Sequence, residues 1–133
     1  MAIYFDSAAT TQLDDQVIEA MYECMKDNYG NPSSTHSFGR KAKNTLETCR
    51  REIAAYFGAS PSEITFTSCG TEADNLAIKC AVEELGVTRI ISTEIEHKAV
   101  LSMIKNIAAI HSVEVNYVNV NEDGQVDLNH LEE

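Results

Sequence analysis

Apolar side chains recur three and four residues apart along much of this chain, and the places where that rhythm stops divide it into short elements. Val17, Ile18, Met21, Tyr22 and Met25 follow Asp14-Asp15, which can cap a helix start, and they predict a first helix over 15–27. Asn28-Tyr29-Gly30-Asn31-Pro32 breaks it. A second stripe of Phe38, Ala42, Leu46, Cys49, Ile53 and Tyr56/Phe57 predicts a long amphipathic helix stopped by Gly58. Ser60-Pro61-Ser62-Glu63 turns into Ile64-Thr65-Phe66-Thr67, whose β-branched and aromatic residues predict a short strand. A helix from Thr71 to Leu85, closed by Gly86, comes next. It leads to a strand over Arg89-Ile90-Ile91-Ser92-Thr93 and a helix from His97 to His111 with Val100, Leu101, Ile104, Ile107 and Ala108 on one face. Val113, Val115 and Tyr117 then alternate with Glu114 and Asn116 in a third strand. Asn121-Glu122-Asp123-Gly124 is a turn, and Asp127 caps a last helix that stops with the chain at Glu133.

From residue 64 onward strand and helix alternate, the order of an α/β fold with a parallel sheet and right-handed crossovers. Three strands leave an open edge and the last helix is too short, so further sequence is expected beyond this stretch. No repeat, low-complexity run or linker divides the chain, and both prolines, Pro32 and Pro61, stand at element boundaries, which predicts a single unit.

Composition narrows the function classes. At 133 residues with 44 % hydrophobic content the chain is sized for one soluble domain. A net charge of -11, with Arg50-Arg51 as the densest basic pair, disfavours nucleic acid and anionic membranes. Met1-Ala2-Ile3-Tyr4-Phe5-Asp6 has neither a basic leader nor a long apolar stretch, which predicts a cytoplasmic protein. Cys24, Cys49, Cys69 and Cys80 lack metal-ligand spacing and read as reduced thiols rather than a disulfide framework or zinc site. Periodicity puts Cys24, Cys49 and Cys80 in the core.

Chemistry concentrates in Thr67-Ser68-Cys69-Gly70-Thr71-Glu72-Ala73-Asp74-Asn75, where a predicted strand runs into a helix. The free amides of a first helical turn attract an anion, Gly70 allows close approach, and the Ser68 and Thr71 hydroxyls add donors. The same residues also make an ordinary helix cap, and both readings stand at this point. The spacing fits neither a nucleotide-phosphate loop nor a dinucleotide fingerprint. Glu72 and Asp74 suit the helix dipole and are expected to point away from a bound anion. His97 follows the second strand at the same end of the sheet, where its ring can stack on an aromatic cofactor or simply be solvated. His36, His111 and His130 carry no such position. Cys69 sits where a thiol pKa falls, yet no histidine is spaced as its partner, and a small residue in a tight loop explains it as well.

Four blocks together resemble one family. They are Tyr4-Phe5-Asp6-Ser7-Ala8-Ala9-Thr10-Thr11; Gly30-Asn31-Pro32-Ser33-Ser34 with His36 and Phe38-Gly39; Phe66 through Asn75; and Thr93-Glu94-Ile95-Glu96-His97-Lys98-Ala99-Val100. In that order the chain resembles the cysteine desulfurases of the class V aminotransferase group, pyridoxal-phosphate enzymes of fold type I. The resemblance implies part of the large domain of that fold, a mainly parallel sheet flanked by helices. Residues 1–14 would form an N-terminal segment near the substrate entrance, and residues 15–133 the first part of the cofactor-binding domain. It implies that Gly70 and Thr71 bind the cofactor phosphate through amides and hydroxyl, that His97 stacks on the pyridine ring, and that Ala8-Ala9-Thr10 line the substrate entrance near a dimer interface. Ser68-Cys69-Gly70-Thr71 replaces the commoner Ser-Gly-Ala-Thr, a variant associated with the nitrogen-fixation branch.

Members of the family are much longer. Their Schiff-base lysine, the aspartate at the pyridine nitrogen, the arginine for the substrate carboxylate and the persulfide cysteine have no matching positions here, and Lys98 is not that lysine. The resemblance therefore implies no catalytic residue within these 133 residues and an inactive stretch in isolation. For the parent protein it implies conversion of L-cysteine to L-alanine with sulfur carried as an enzyme persulfide to an acceptor or scaffold protein of iron–sulfur assembly or sulfur trafficking. A homodimer is expected. The alternatives are a selenocysteine lyase or other class V relative, or a binding or dimerisation fragment without catalysis.

Overall fold

The computed structural model describes residues 3–132. Met1, Ala2 and Glu133, the outer ends of the expected segments 1–14 and 15–133, lie outside the described residues. Two compact units divide the chain between Thr65 and Phe66.

The first unit is helical. α1 covers Asp15–Asp27, and Asp14 caps it by accepting the Gln16 amide at 2.8 Å, as the acidic pair predicts. α2 covers Ser37–Tyr56 and ends in a paired-bond stop: the Ala59 amide donates to the Ala54 carbonyl at 2.8 Å and Gly58 to Ala55 at 3.2 Å. Gly58 has φ +65°, a conformation that costs glycine nothing. A single 3-10 turn, Pro61–Glu63, follows, and Arg50 on α2 donates to the Ile64 carbonyl just beyond it. Between α1 and α2, the Asn31 carbonyl and side chain receive the Ser34 and Ser33 amides, which folds the 31–36 loop tightly.

Two expectations fail here. The 64–67 segment is extended at Ile64 but forms no strand, because a ladder needs a neighbour and the sheet consists of two other strands. The apolar stripe of α1 stays exposed, Met25 by 67 %, and Cys24 and Cys49 are exposed rather than core, with Cys80 half-buried. Periodicity identifies an apolar face; burial requires a second layer to meet it.

The second unit contains α3 (Gly70–Glu83), β1 (Arg89–Thr93), α4 (Lys98–His111), β2 (Glu114–Val118) and α5 (Leu128–Glu132). β1 and β2 pair in parallel, Arg89 opposite Glu114 through Thr93 opposite Val118, so α4 is the crossover between them. Val82, Ile107 and Val113 form the core, with Ile78, Ile90 and Met103 packed against it. The predicted inner face of α4 holds, since Ile104 and Ile107 are each only 2 % exposed. Val115 and Tyr117 are half-buried while Glu114 and Asn116 are exposed, as the alternation predicts. Asp127 caps α5 by accepting the Asn129 amide at 3.0 Å. The 121–124 turn closes through the Gly124 amide on the Asn121 carbonyl at 3.0 Å.

Three histidines without an expected role tie elements together. His36 caps α2 by accepting the Gly39 amide at 3.4 Å, and His111 lies 3.2 Å from Glu83, joining α4 to α3. His130 on α5 accepts the Asn119 amide at 3.0 Å, next to the end of β2.

Candidate functional site

α3 starts from Cys69, whose extended backbone (φ -167°, ψ 170°) turns the chain into the helix. The first full helical bond runs from the Ala73 amide to the Cys69 carbonyl at 3.2 Å, so the amides of Gly70, Thr71 and Glu72 find no carbonyl within the helix. That end of the helix attracts negative charge. A Cβ built on Gly70 would meet nothing within 4 Å, so the fold of the described residues does not itself require glycine there. The space beside Gly70 is open to a ligand.

Glu72 makes a contact that the helix dipole alone does not specify. Its Oε2 folds back and accepts both the Ser68 amide at 2.6 Å and the Ser68 hydroxyl at 2.7 Å. Those donors, the hydroxyl first, hold the carboxyl below its ordinary pKa. Ser68 is thereby spent on Glu72, so the anion donors left in the loop are the Gly70 and Thr71 amides and the Thr71 hydroxyl. The exposed Cys69 thiol is also lowered, chiefly by the Glu72 amide and then by the Ser68 hydroxyl, although no cap hydrogen bond of full geometry forms at Cys69.

His97 is the cap of α4, its Nδ1 accepting the Ala99 amide at 3.1 Å. A nitrogen that accepts carries no hydrogen, so the neutral ring is protonated on Nε2 and held in one orientation. His97→Ala is therefore expected to destabilise the protein by about 1 kcal/mol relative to His97→Asn, because asparagine restores the cap and alanine does not. Urea-unfolding midpoints of the two variants measure this, and equal midpoints would contradict the cap.

Of the three residues expected to hold the cofactor, Thr71 and His97 line one cleft, and Gly70 is not among its lining residues. It measures about 350 Å³ and is lined by Thr71 and Asn75 of α3 with His97, Lys98, Ala99, Ser102, Met103 and Asn106 at the start of and along α4. Asn75 also has a buried Oδ1 with no hydrogen-bond partner among the described residues. An acceptor left without a partner in this way costs about 1–3 kcal/mol. Asn75 closes the 67–75 segment without a role assigned to it, and Ser102 and Asn106 were not singled out by sequence, yet the signal exists: Thr71 and Asn75, and Lys98, Ser102 and Asn106, each repeat every four residues on one helix face. A wider depression of about 720 Å³ is lined by residues of α2 alone, from Ser37 to Glu52, and lacks such convergence.

Ala8-Ala9-Thr10 belong to the first unit. The Ala9 and Thr10 amides donate to the Asp6 carbonyl at 3.0 and 3.3 Å, and the Tyr4 hydroxyl lies 3.0 Å from the Asp6 and Thr10 carbonyl oxygens. This is a closed, exposed turn.

The model of the aminotransferase class-V family matches residues 3–133. A cysteine desulfurase of Nostoc sp. is 47 % identical over 98 % of this chain and 32 % of its own length. Among solved structures, a NifS-like protein superposes with a TM-score of 0.86 at 44 % identity, covering 99 % of this chain and 36 % of that one. The structure described as SspA in complex with cysteine superposes with a TM-score of 0.80 at 36 % identity, over 97 % of this chain and 38 % of that one. The chain thus spans about a third of the length of the curated relatives it matches.

Proposed function

The chain belongs to the aminotransferase class-V family, and from that membership we propose that it forms the N-terminal, cofactor-binding part of a pyridoxal-phosphate-dependent cysteine desulfurase. The observation that carries the reading is the meeting of Thr71 and His97, 26 positions apart in blocks of their own, on one cleft that Asn75 also lines. The residues fit the cofactor: open space at Gly70, unpaired amides at a helix start, and a flat ring fixed by its own cap.

In this reading the Gly70 and Thr71 amides and the Thr71 hydroxyl hold the cofactor phosphate, and the Lys98 charge on the cleft wall suits a dianion. His97 would offer its ring face to the pyridine, with Nδ1 committed to the Ala99 amide and Nε2–H as its free donor. When bound, pyridoxal phosphate supplies the electron sink for breaking bonds at the substrate α-carbon. Ala8-Ala9-Thr10 contribute to the substrate entrance. The full-length protein takes sulfur from L-cysteine, releases L-alanine, and passes the sulfur as a persulfide to an acceptor protein, with iron–sulfur assembly as its destination. It works as a homodimer in the cytoplasm.

The test uses the full-length protein that carries this chain. Purified protein is expected to show the visible absorbance of bound pyridoxal phosphate, bleached by borohydride, and to release L-alanine from L-cysteine in step with persulfide formation. Protein without that absorbance overturns the cofactor reading. Protein with the cofactor that acts on L-selenocysteine and leaves L-cysteine untouched overturns the desulfurase reading.

A further inference from the structure

We propose that Glu72 is a positioning residue that latches the 68–71 loop in its anion-accepting shape, an inference that rests on the cofactor-phosphate reading above. Its carboxylate reaches back one turn, and one oxygen takes both donors of Ser68 at 2.6 and 2.7 Å. The amide and the hydroxyl of Ser68 are thereby both tied to one oxygen, and the residues that follow it, Cys69 and Gly70, enter α3 along one path. That path leaves the Gly70 and Thr71 amides without a carbonyl partner in the helix while consuming the two donors of Ser68 that would otherwise compete for the same anion.

A carboxylate beside an anion site also repels the anion, so two roles of opposite sign are possible for Glu72. In a placeholder role it occupies the loop until phosphate arrives and must then leave. The geometry favours the latch. Both bonds go to Ser68, outside the helix, and none goes to the Gly70 or Thr71 amides that a placeholder would have to cover. The lowered pKa agrees, because donors that stabilise the charged carboxylate also neutralise part of its field. With the folded pKa depressed, the stabilisation is complete above the ordinary carboxylate value. It is lost as pH falls through the lower folded value.

The experiment compares pyridoxal-phosphate affinity of the full-length apoprotein, followed by absorbance, with inorganic phosphate as competitor. Glu72→Ala is expected to weaken binding of both ligands roughly tenfold, the loss of one charge-assisted contact. Glu72→Gln is expected to stay within about threefold of the native protein, because its amide oxygen accepts from the same Ser68 donors. Tighter binding by both variants establishes the placeholder and overturns the latch, as does native affinity in Glu72→Ala. Should Glu72→Ala fail to fold, Ser68→Ala decides: weaker binding supports the latch, and unchanged binding overturns it. If the native protein binds neither ligand, the cofactor reading and the latch fall together; if it binds both and only the variants disagree, the latch alone falls.

Discussion

Thr71→Val in the full-length protein is expected to weaken retention of pyridoxal phosphate by roughly ten- to a hundredfold, the equivalent of about 1.5–3 kcal/mol for a hydrogen bond to a charged group. Thr71 lies in the first turn of α3 and lines the cleft shared with His97. Valine copies the shape of threonine and has a similar helix propensity, so the substitution removes a donor and little else. Thr71→Ser keeps the hydroxyl and is expected to keep most of the affinity. Dialysis followed by absorbance measures the occupancy left in each variant. Equal occupancy in native and valine proteins would remove the Thr71 hydroxyl from the phosphate site, leaving only its amide.

The second large effect is on folding. Gly39→Ala is expected to destabilise the protein by about 3 kcal/mol, at the upper end of overpacking costs. Helix propensity alone predicts the reverse, since Gly39 lies inside α2 and alanine is favoured there by about 1 kcal/mol. Sterics decide the sign. A Cβ at Gly39 would stand 2.7 Å from the Asn31 carbonyl oxygen and 2.7 Å from the Ser34 Cβ, and would strike the Ser34 carbonyl oxygen as well. Two of these three atoms are backbone of a loop folded by its own hydrogen bonds, so no rotamer change relieves the contact. The measurement is the urea-unfolding midpoint, with Gly70→Ala as control, because a Cβ there meets nothing within 4 Å and is expected to leave stability unchanged. A Gly39→Ala protein as stable as the native one would show that the 31–36 loop can shift away from α2. The two glycines then separate cleanly: Gly39 serves packing, and Gly70 leaves room.

That contrast explains the second sequence block. Gly30-Asn31-Pro32-Ser33-Ser34 with His36 and Phe38-Gly39 builds a closely packed helix entry. His36 caps α2, the Phe38 ring sits 5.5 Å from Tyr29, and a Cβ at Gly30 would strike the Phe38 carbonyl. None of this was visible in spacing, because the contacts join residues whose separation only the folded loop defines.

By itself the sequence determined what neighbours within a turn or two decide. The helix over 15–27 begins at Asp14 because a carboxylate there meets a free amide, and Gly58 ends α2 because glycine tolerates positive φ. The inner face of α4 was legible because apolar side chains three and four residues apart must share a side. The four blocks likewise led to the family. Tertiary structure alone decided the rest. Residues 64–67 have strand composition and no strand, since a ladder is a property of two segments. Cys24 and Cys49 lie on apolar stripes and remain exposed, since burial depends on a second layer. Even the local Glu72 contact was open, because a carboxylate at that position satisfies the helix dipole whether it turns outward or back to Ser68, and only the folded loop selects between them. The cleft that joins Thr71, Asn75 and His97 exists because Val82, Ile107 and their neighbours pack α3 against α4, a long-range choice that brings together residues no local rule connects.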